Sequence, residues 1–160
     1  MMHSSSVVSW AARVLVTLLF LEVAMLRNIG AVIAGMIVGM VLNITIIVLN
    51  LIFFPMPEGL SMQDQEGFSA WAKTLPETAF ILPMVAHLAQ AFGGGWLAAR
   101  IGASHPKVLA MIVGVLSLGG GISNALSMEI PTWMWIEMPF YLVLAWVAGN
   151  IEVKRRAALA

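Results

Sequence analysis

The chain has 160 residues, 61% of them hydrophobic and 10% charged, with a mean hydropathy of +0.95. Soluble domains carry about a quarter charged residues, so this composition sets the chain apart from them, and its net charge of zero gives nucleic acid no footing. With no cysteine, disulfides, thiolate metal sites and cysteine nucleophiles are excluded, and the length fits one compact bundle rather than two domains.

Residues 1–24 open with MMHSSS and continue as an apolar run interrupted by Arg13 and Glu22. Ser9, Arg13 and Thr17 recur every four residues, a thin polar stripe that predicts a helix lying in the membrane interface or packed on the bundle. A fifth span is the alternative, and it requires a tight reversal at Arg27–Asn28. Residues 14–21 also have the outline of a signal-peptide core, without the usual positive flank, and Met25 reads as a natural start that would make the preceding residues an upstream extension.

The first span is predicted at 29–54, with no charge. Its 26 residues rise about 39 Å against about 30 Å of hydrocarbon, so it should tilt. Gly35 and Gly39 form a small-xxx-small pair that admits another helix closely, with Asn43 and Asn50 on about the same side. Pro55 and Pro57 end the helix. Residues 55–75 are the only sizeable polar segment. Asp64 can cap a short helix whose Phe68, Trp71 and Leu75 share a face, placing Trp71 at headgroup level on the membrane surface.

The second span, 78–98, carries Pro83, His87, Gln90 and Gly94 on one stripe that faces other helices rather than lipid. The third, 107–128, aligns Gly114, Ser117, Gly121 and Asn124; the fourth, 131–151, aligns Trp133, Glu137, Tyr141 and Ala148. Residues 154–160 form a basic, frayed tail. The expected fold is therefore all-α. It is an integral membrane four-helix bundle over 25–153, with an extra N-terminal hydrophobic helix and a short amphipathic helix on the outer face.

Arg27, Arg100, Lys107, Lys154, Arg155 and Arg156 fall on one side if the spans alternate. Lys73 falls on the other, with Glu58, Asp64, Glu66, Glu77 and Glu129. The positive-inside rule then predicts a multi-pass protein with its basic tail cytoplasmic and the 55–75 loop outside.

Glu137 is the sharpest candidate for chemistry, as the acidic residue well inside a span of the four-helix unit. A lone carboxylate there costs several kcal/mol, so it should be neutral, hydrogen-bonded or paired. It is either a proton or cation site, or a glutamate that joins helices. Its expected partners are His87, Asn124, Asn50 and Tyr141. His87, near mid-depth, is either a ligand or relay residue or a satisfied interhelical histidine. Asn43, Asn50, Gln90 and Asn124 are by default amides that hold helices together, yet clustered in the outer half they also outline a vestibule. Gly35, Gly39, Gly94 and Gly121 should face protein, and glycine-rich faces also offer a route to a homo-oligomer. Gly93–Gly95 and Gly119–Gly121 lack the lysine and strand of a phosphate loop. One histidine with one glutamate is too few ligands for zinc, so neither a metal nor a cofactor is expected. Trp10, Trp71, Trp96, Trp133 and Trp135 read as interfacial anchors.

The segments MLRNIGAVIAGMIVG, FFPMPEGL, AHLAQAFGGGWLAARI and GGGISNALSMEIPTWMWIEMPFYLVLAWVAGNI resemble a group of small bacterial four-helix membrane proteins without an assigned activity. The resemblance covers roughly residues 25–151 and implies the four-span fold, and with it the bacterial inner membrane. Members carry an acidic residue or a histidine late in the first span, where this chain has Asn43 and Asn50.

Three function classes follow. The first is a small transporter, channel or ligand-binding protein that uses the polar cluster, with the lipid bilayer as its surroundings. The second is a non-catalytic structural or accessory subunit. An enzyme is disfavoured, because no serine–histidine–aspartate constellation, paired catalytic carboxylates or metal motif is present.

Overall fold

The computed structural model describes residues 4–128 and 131–159; Glu129, counted above among the outer acids, and the side chain of Ser9 lie outside the described residues. The chain is an all-α bundle: α1 Ser4–Phe53, α2 Gln65–Ala72, α3 Ile81–Ile101, α4 Pro106–Ser127 and α5 Glu137–Ala157. Short 3-10 turns, Glu77–Phe80 and Thr132–Ile136, lead into α3 and α5. Among the described residues four helical stretches, Arg13–Phe53, Glu77–Ile101, Pro106–Ser127 and Thr132–Ala157, are long and apolar enough to cross a membrane.

The N-terminal segment is helical, but it neither reverses nor lies apart: it continues into the first span as one helix of 50 residues. Nothing between Ser4 and Phe53 interrupts the backbone ladder, since the first proline is Pro55. At that length α1 extends about 75 Å, more than twice the thickness of the hydrocarbon layer. Among its described residues the first buried one is Ala31, and residues 13–23 are exposed on every side. Arg27 and Asn28, where a reversal was conceivable, clamp the α3–α4 turn instead. Arg27 Nε donates to the Ile101 carbonyl at 2.9 Å. Asn28 accepts from the Ala103 and Ser104 amides at 2.8 and 3.2 Å and donates to Ser104 Oγ at 2.9 Å.

Local chemistry sets the other ends. Asp64 caps α2 by accepting from the Gly67 amide at 3.0 Å. Pro106 opens α4, where a missing N–H leaves no bond unmade. Pro83 and Pro139 do not break mid-helix. Each is the third residue of its α-helix, directly after a 3-10 turn, so the change of helix type absorbs the missing donor.

α3 is the centre, packed on α1, α4 and α5, while α4 and α5 also pack on each other and α1 touches α4 only lightly. The packed interior is built from small residues. Ala86, Ala91, Ala98, Ala99, Ala110, Ala145 and Ala148 are fully buried, whereas many large apolar side chains, such as Ile33, Ile37, Val115 and Phe140, point outward. This is the membrane pattern, in which small residues let backbones meet and lipid solvates the large ones. A Cβ on Gly94 would lie 2.6 Å from the Gly35 carbonyl, and one on Gly39 would lie 2.8 Å from the Gln90 carbonyl. Gly121 abuts the Tyr141 hydroxyl.

The tail is not frayed: α5 runs to Ala157 because its basic residues have work to do. Glu152, fully buried, accepts from Arg155 Nε at 2.7 Å, Arg155 Nη2 at 2.6 Å and Arg156 Nε at 2.9 Å, with Arg100 Nη1 at 3.6 Å. Arg156 also donates to the Ala99 and Gly102 carbonyls at 2.7 and 2.9 Å, closing the exposed end of α3. The chain therefore buries a second carboxylate in addition to Glu137.

Candidate functional site

At the end of the bundle opposite Glu152, α3 and α5 bring together residues 50 positions apart. Glu137, the first residue of α5, is 1% exposed, and its Oε1 lies 3.0 Å from His87 Nδ1. Tyr141, one turn further along α5, donates to the same oxygen at 3.4 Å. The His87 and Tyr141 rings stack with centroids 6.4 Å apart and planes at 26°. A carboxylate with an imidazolium and a carboxylic acid with an imidazole are both neutral overall, and both make the same short contact. A proton can thus change hands without burying a net charge.

Because α1 barely meets α4, a cleft of about 450 Å³ opens between them above α3. Asn43 of α1, His87 and Gln90 of α3, and Ser117 and Asn124 of α4 line it, with Tyr141 at its back. Gln90 Nε2 reaches Ser117 Oγ at 3.5 Å. Gly120 keeps one wall bare, since nothing approaches the position of its missing Cβ within 4 Å. Glu137 does not line the cleft. His87, with 16% of its side chain exposed, stands between the cleft and the carboxylate.

A more enclosed chamber of about 100 Å³ adjoins the cleft and shares His87 and Asn124 with it. Asn50 of α1 and the apolar face of α2 complete it. Phe68 and Trp71 meet edge to face at 5.3 Å, and both line the chamber. α2 turns its aromatic face toward the bundle and roofs the site. Gln65 Nε2 donates to the Ser127 carbonyl at 3.4 Å, tying α2 to the end of α4.

The sequence-derived candidates fall into two groups. His87, Gln90, Asn43, Asn124 and Tyr141 line the cleft, and Asn50 lines the chamber, with Glu137 behind His87. Gly35, Gly39, Gly94 and Gly121 sit in helix contacts of the chain itself. Asn124 and Asn50 make no bond to Glu137; its partners are His87 and Tyr141. Buried polar atoms without a partner include Glu137 Oε2, Asn50 Oδ1 and Trp133 Nε1.

Three residues carry more than the sequence reading gave them. Ser117 joins the cleft wall, a position already hinted at by its face with Gly114, Gly121 and Asn124. Trp133 is half-buried, with its indole Nε1 enclosed and unpartnered. Glu152 was legible from Arg155 and Arg156, three and four residues on, the spacing at which helical side chains pair. Comparison with protein-family models, with curated proteins and with solved structures finds no match, so the chemistry of the site rests on its own geometry.

Proposed function

We propose that this is a multi-pass protein of a bacterial cytoplasmic membrane that takes up a small solute into the cleft between α1 and α4, in the manner of a transporter or membrane receptor. The observation that carries this reading is a cleft whose apolar walls, from Met40, Ile47, Met62 and Phe68 among others, carry the amides of Asn43, Gln90 and Asn124 and the Ser117 hydroxyl, and which ends on a histidine whose other side holds a buried glutamate. Such a wall offers donors and acceptors without net charge, which suits an uncharged solute. A continuous channel is disfavoured. Toward the Glu152 end, Gly35, Gly94, Ala98 and Val113 are all buried and close-packed. Gathering of Arg27, Arg100, Arg155 and Arg156 around the far end of α3 supports a cytoplasmic basic end, with α2 and the cleft mouth outside.

The accessory-subunit reading draws on one observation: the stretch of α1 before Ala31 leaves Leu15, Phe20, Leu21 and Leu26 exposed. That surface is apolar enough to need a covering of lipid or protein.

The chain contains no cysteine, so single cysteines report cleanly. In sealed vesicles, Asn43→Cys and Asn124→Cys should react with a membrane-impermeant thiosulfonate from the same side as Ser69→Cys. Val41→Cys, on the outward face of α1, should not react, because a thiol in lipid does not ionise. Ala157→Cys should be reached only from the other side. An unreactive Asn43→Cys would mean a dry, structural cluster; labelling of Ser69→Cys and Ala157→Cys from one side would end the proposed orientation.

A further inference from the structure

The chamber under α2 narrows the class of ligand, an inference that rests on the solute-binding reading above. Its walls are apolar and aromatic, from Phe68, Trp71 and Phe80, and its volume is about 100 Å³. A cavity on the order of 150 Å³ accepts a benzene ring; the chamber is smaller, so it holds a short branched chain outright, and a single ring only if part of it extends into the adjoining cleft. One wall carries Asn50, 6% exposed, whose Oδ1 has no hydrogen-bond partner. A buried acceptor left unpaired is costly. Leucine would fill that place in an apolar helix at no such cost, so the amide has a use only when something donates to it.

The other polar groups on the chamber are Asn124 and His87, and the His87 ring is already engaged with Glu137. Among the described residues no unpaired charge lines the space, so an ionic ligand would meet no counter-charge from them. Access is through the cleft, with which the chamber shares His87 and Asn124.

We propose that the chamber binds an uncharged small molecule with a one-ring or similarly compact apolar body and a single hydroxyl or N–H donor. The body lies against Phe68 and Trp71, and the donor meets Asn50 Oδ1. The aromatic roof supplies affinity by burial, and the amide supplies selection: a site that hydrogen-bonds a hydroxyl rejects the analogue lacking it, because its own polar group is then left unpaired.

The test compares 4-fluorophenol with fluorobenzene by fluorine NMR on the full chain in lipid nanodiscs, with empty nanodiscs as the partition control. 4-Fluorophenol should show saturable binding, and fluorobenzene should bind at least about tenfold more weakly, the worth of one buried hydrogen bond. Asn50→Leu should fold and bring the two probes level, since it removes only the selecting acceptor. Trp71→Ala should weaken 4-fluorophenol about tenfold while leaving Asn50 in place. Absence of saturable 4-fluorophenol binding, as in a chamber that holds only water, would overturn the proposal, and so would a preference for 4-fluorophenol that persists in Asn50→Leu. If Asn43→Cys is labelled while 4-fluorophenol fails to bind, the cleft stands and the ligand class falls; if neither occurs, both fall.

Discussion

Gly94→Leu should cost more than about 3 kcal/mol, beyond the usual range for overpacking, because the obstacle is backbone and cannot rotate away. The first carbon of any side chain at this position would lie 2.6 Å from the Gly35 carbonyl and 3.2 Å from Val113 Cγ1. Accommodating it requires α1 to move off α3, the broadest helix contact in the molecule. With α1 displaced, the wall carrying Asn43 and Asn50 moves too, so loss of stability and loss of the cleft should appear together. Gly119→Leu is the internal control, since nothing lies within 4 Å of that position; it should stay within about 0.5 kcal/mol of the parent. Denaturation midpoints in detergent decide the matter, and equal midpoints for the two variants would mean that α1 and α3 do not meet closely at Gly94.

Glu152→Leu comes next, at about 2 kcal/mol. Removing one partner of a buried ion pair costs about 3–5 kcal/mol when the other charge is trapped. Here the Arg100, Arg155 and Arg156 side chains are 40%, 38% and 30% exposed, so part of the loss is recovered as they turn to water. What does not recover is their mutual repulsion and the hold of Arg156 on the Ala99 and Gly102 carbonyls. Amide hydrogen exchange over the last two turns of α5 should quicken along with the fall in the denaturation midpoint. Unchanged exchange there would show that the tail is held by something other than Glu152.

Much of this bundle is legible in the sequence because lipid leaves few choices. A backbone in hydrocarbon must bond to itself, so long apolar runs become helices, and the four runs bounded by Pro55, the GASHP turn and Pro131 do so. The stripe of Pro83, His87, Gln90 and Gly94 was readable for the same reason: helical spacing fixes which residues share a face. The unbroken α1 was harder to see, because Arg27 and Asn28 look like the polar punctuation of a turn. Their partners, Ile101, Ala103 and Ser104, lie more than 70 residues away, and no local rule supplies such a pairing. The inward face of α2 was hidden likewise. Phe68 and Trp71 have the spacing of an amphipathic helix whether the apolar side meets lipid or a cavity. Neighbours from α1, α3 and α4 decide between the two.

The part Glu137 plays behind the cleft turns on whether its carboxyl exchanges a proton through His87. Infrared difference spectra between neutral and acidic pH, on the parent chain and on Glu137→Gln, measure this directly. Glutamine keeps the shape and one acceptor but cannot titrate, so the variant should stay folded. A carboxyl band present in the parent should vanish in Glu137→Gln, and it should move when His87 is replaced by glutamine, since His87 Nδ1 lies 3.0 Å from Glu137 Oε1. Identical difference spectra for the parent and Glu137→Gln would show that Glu137 does not titrate and that the pair only fastens α5 to α3.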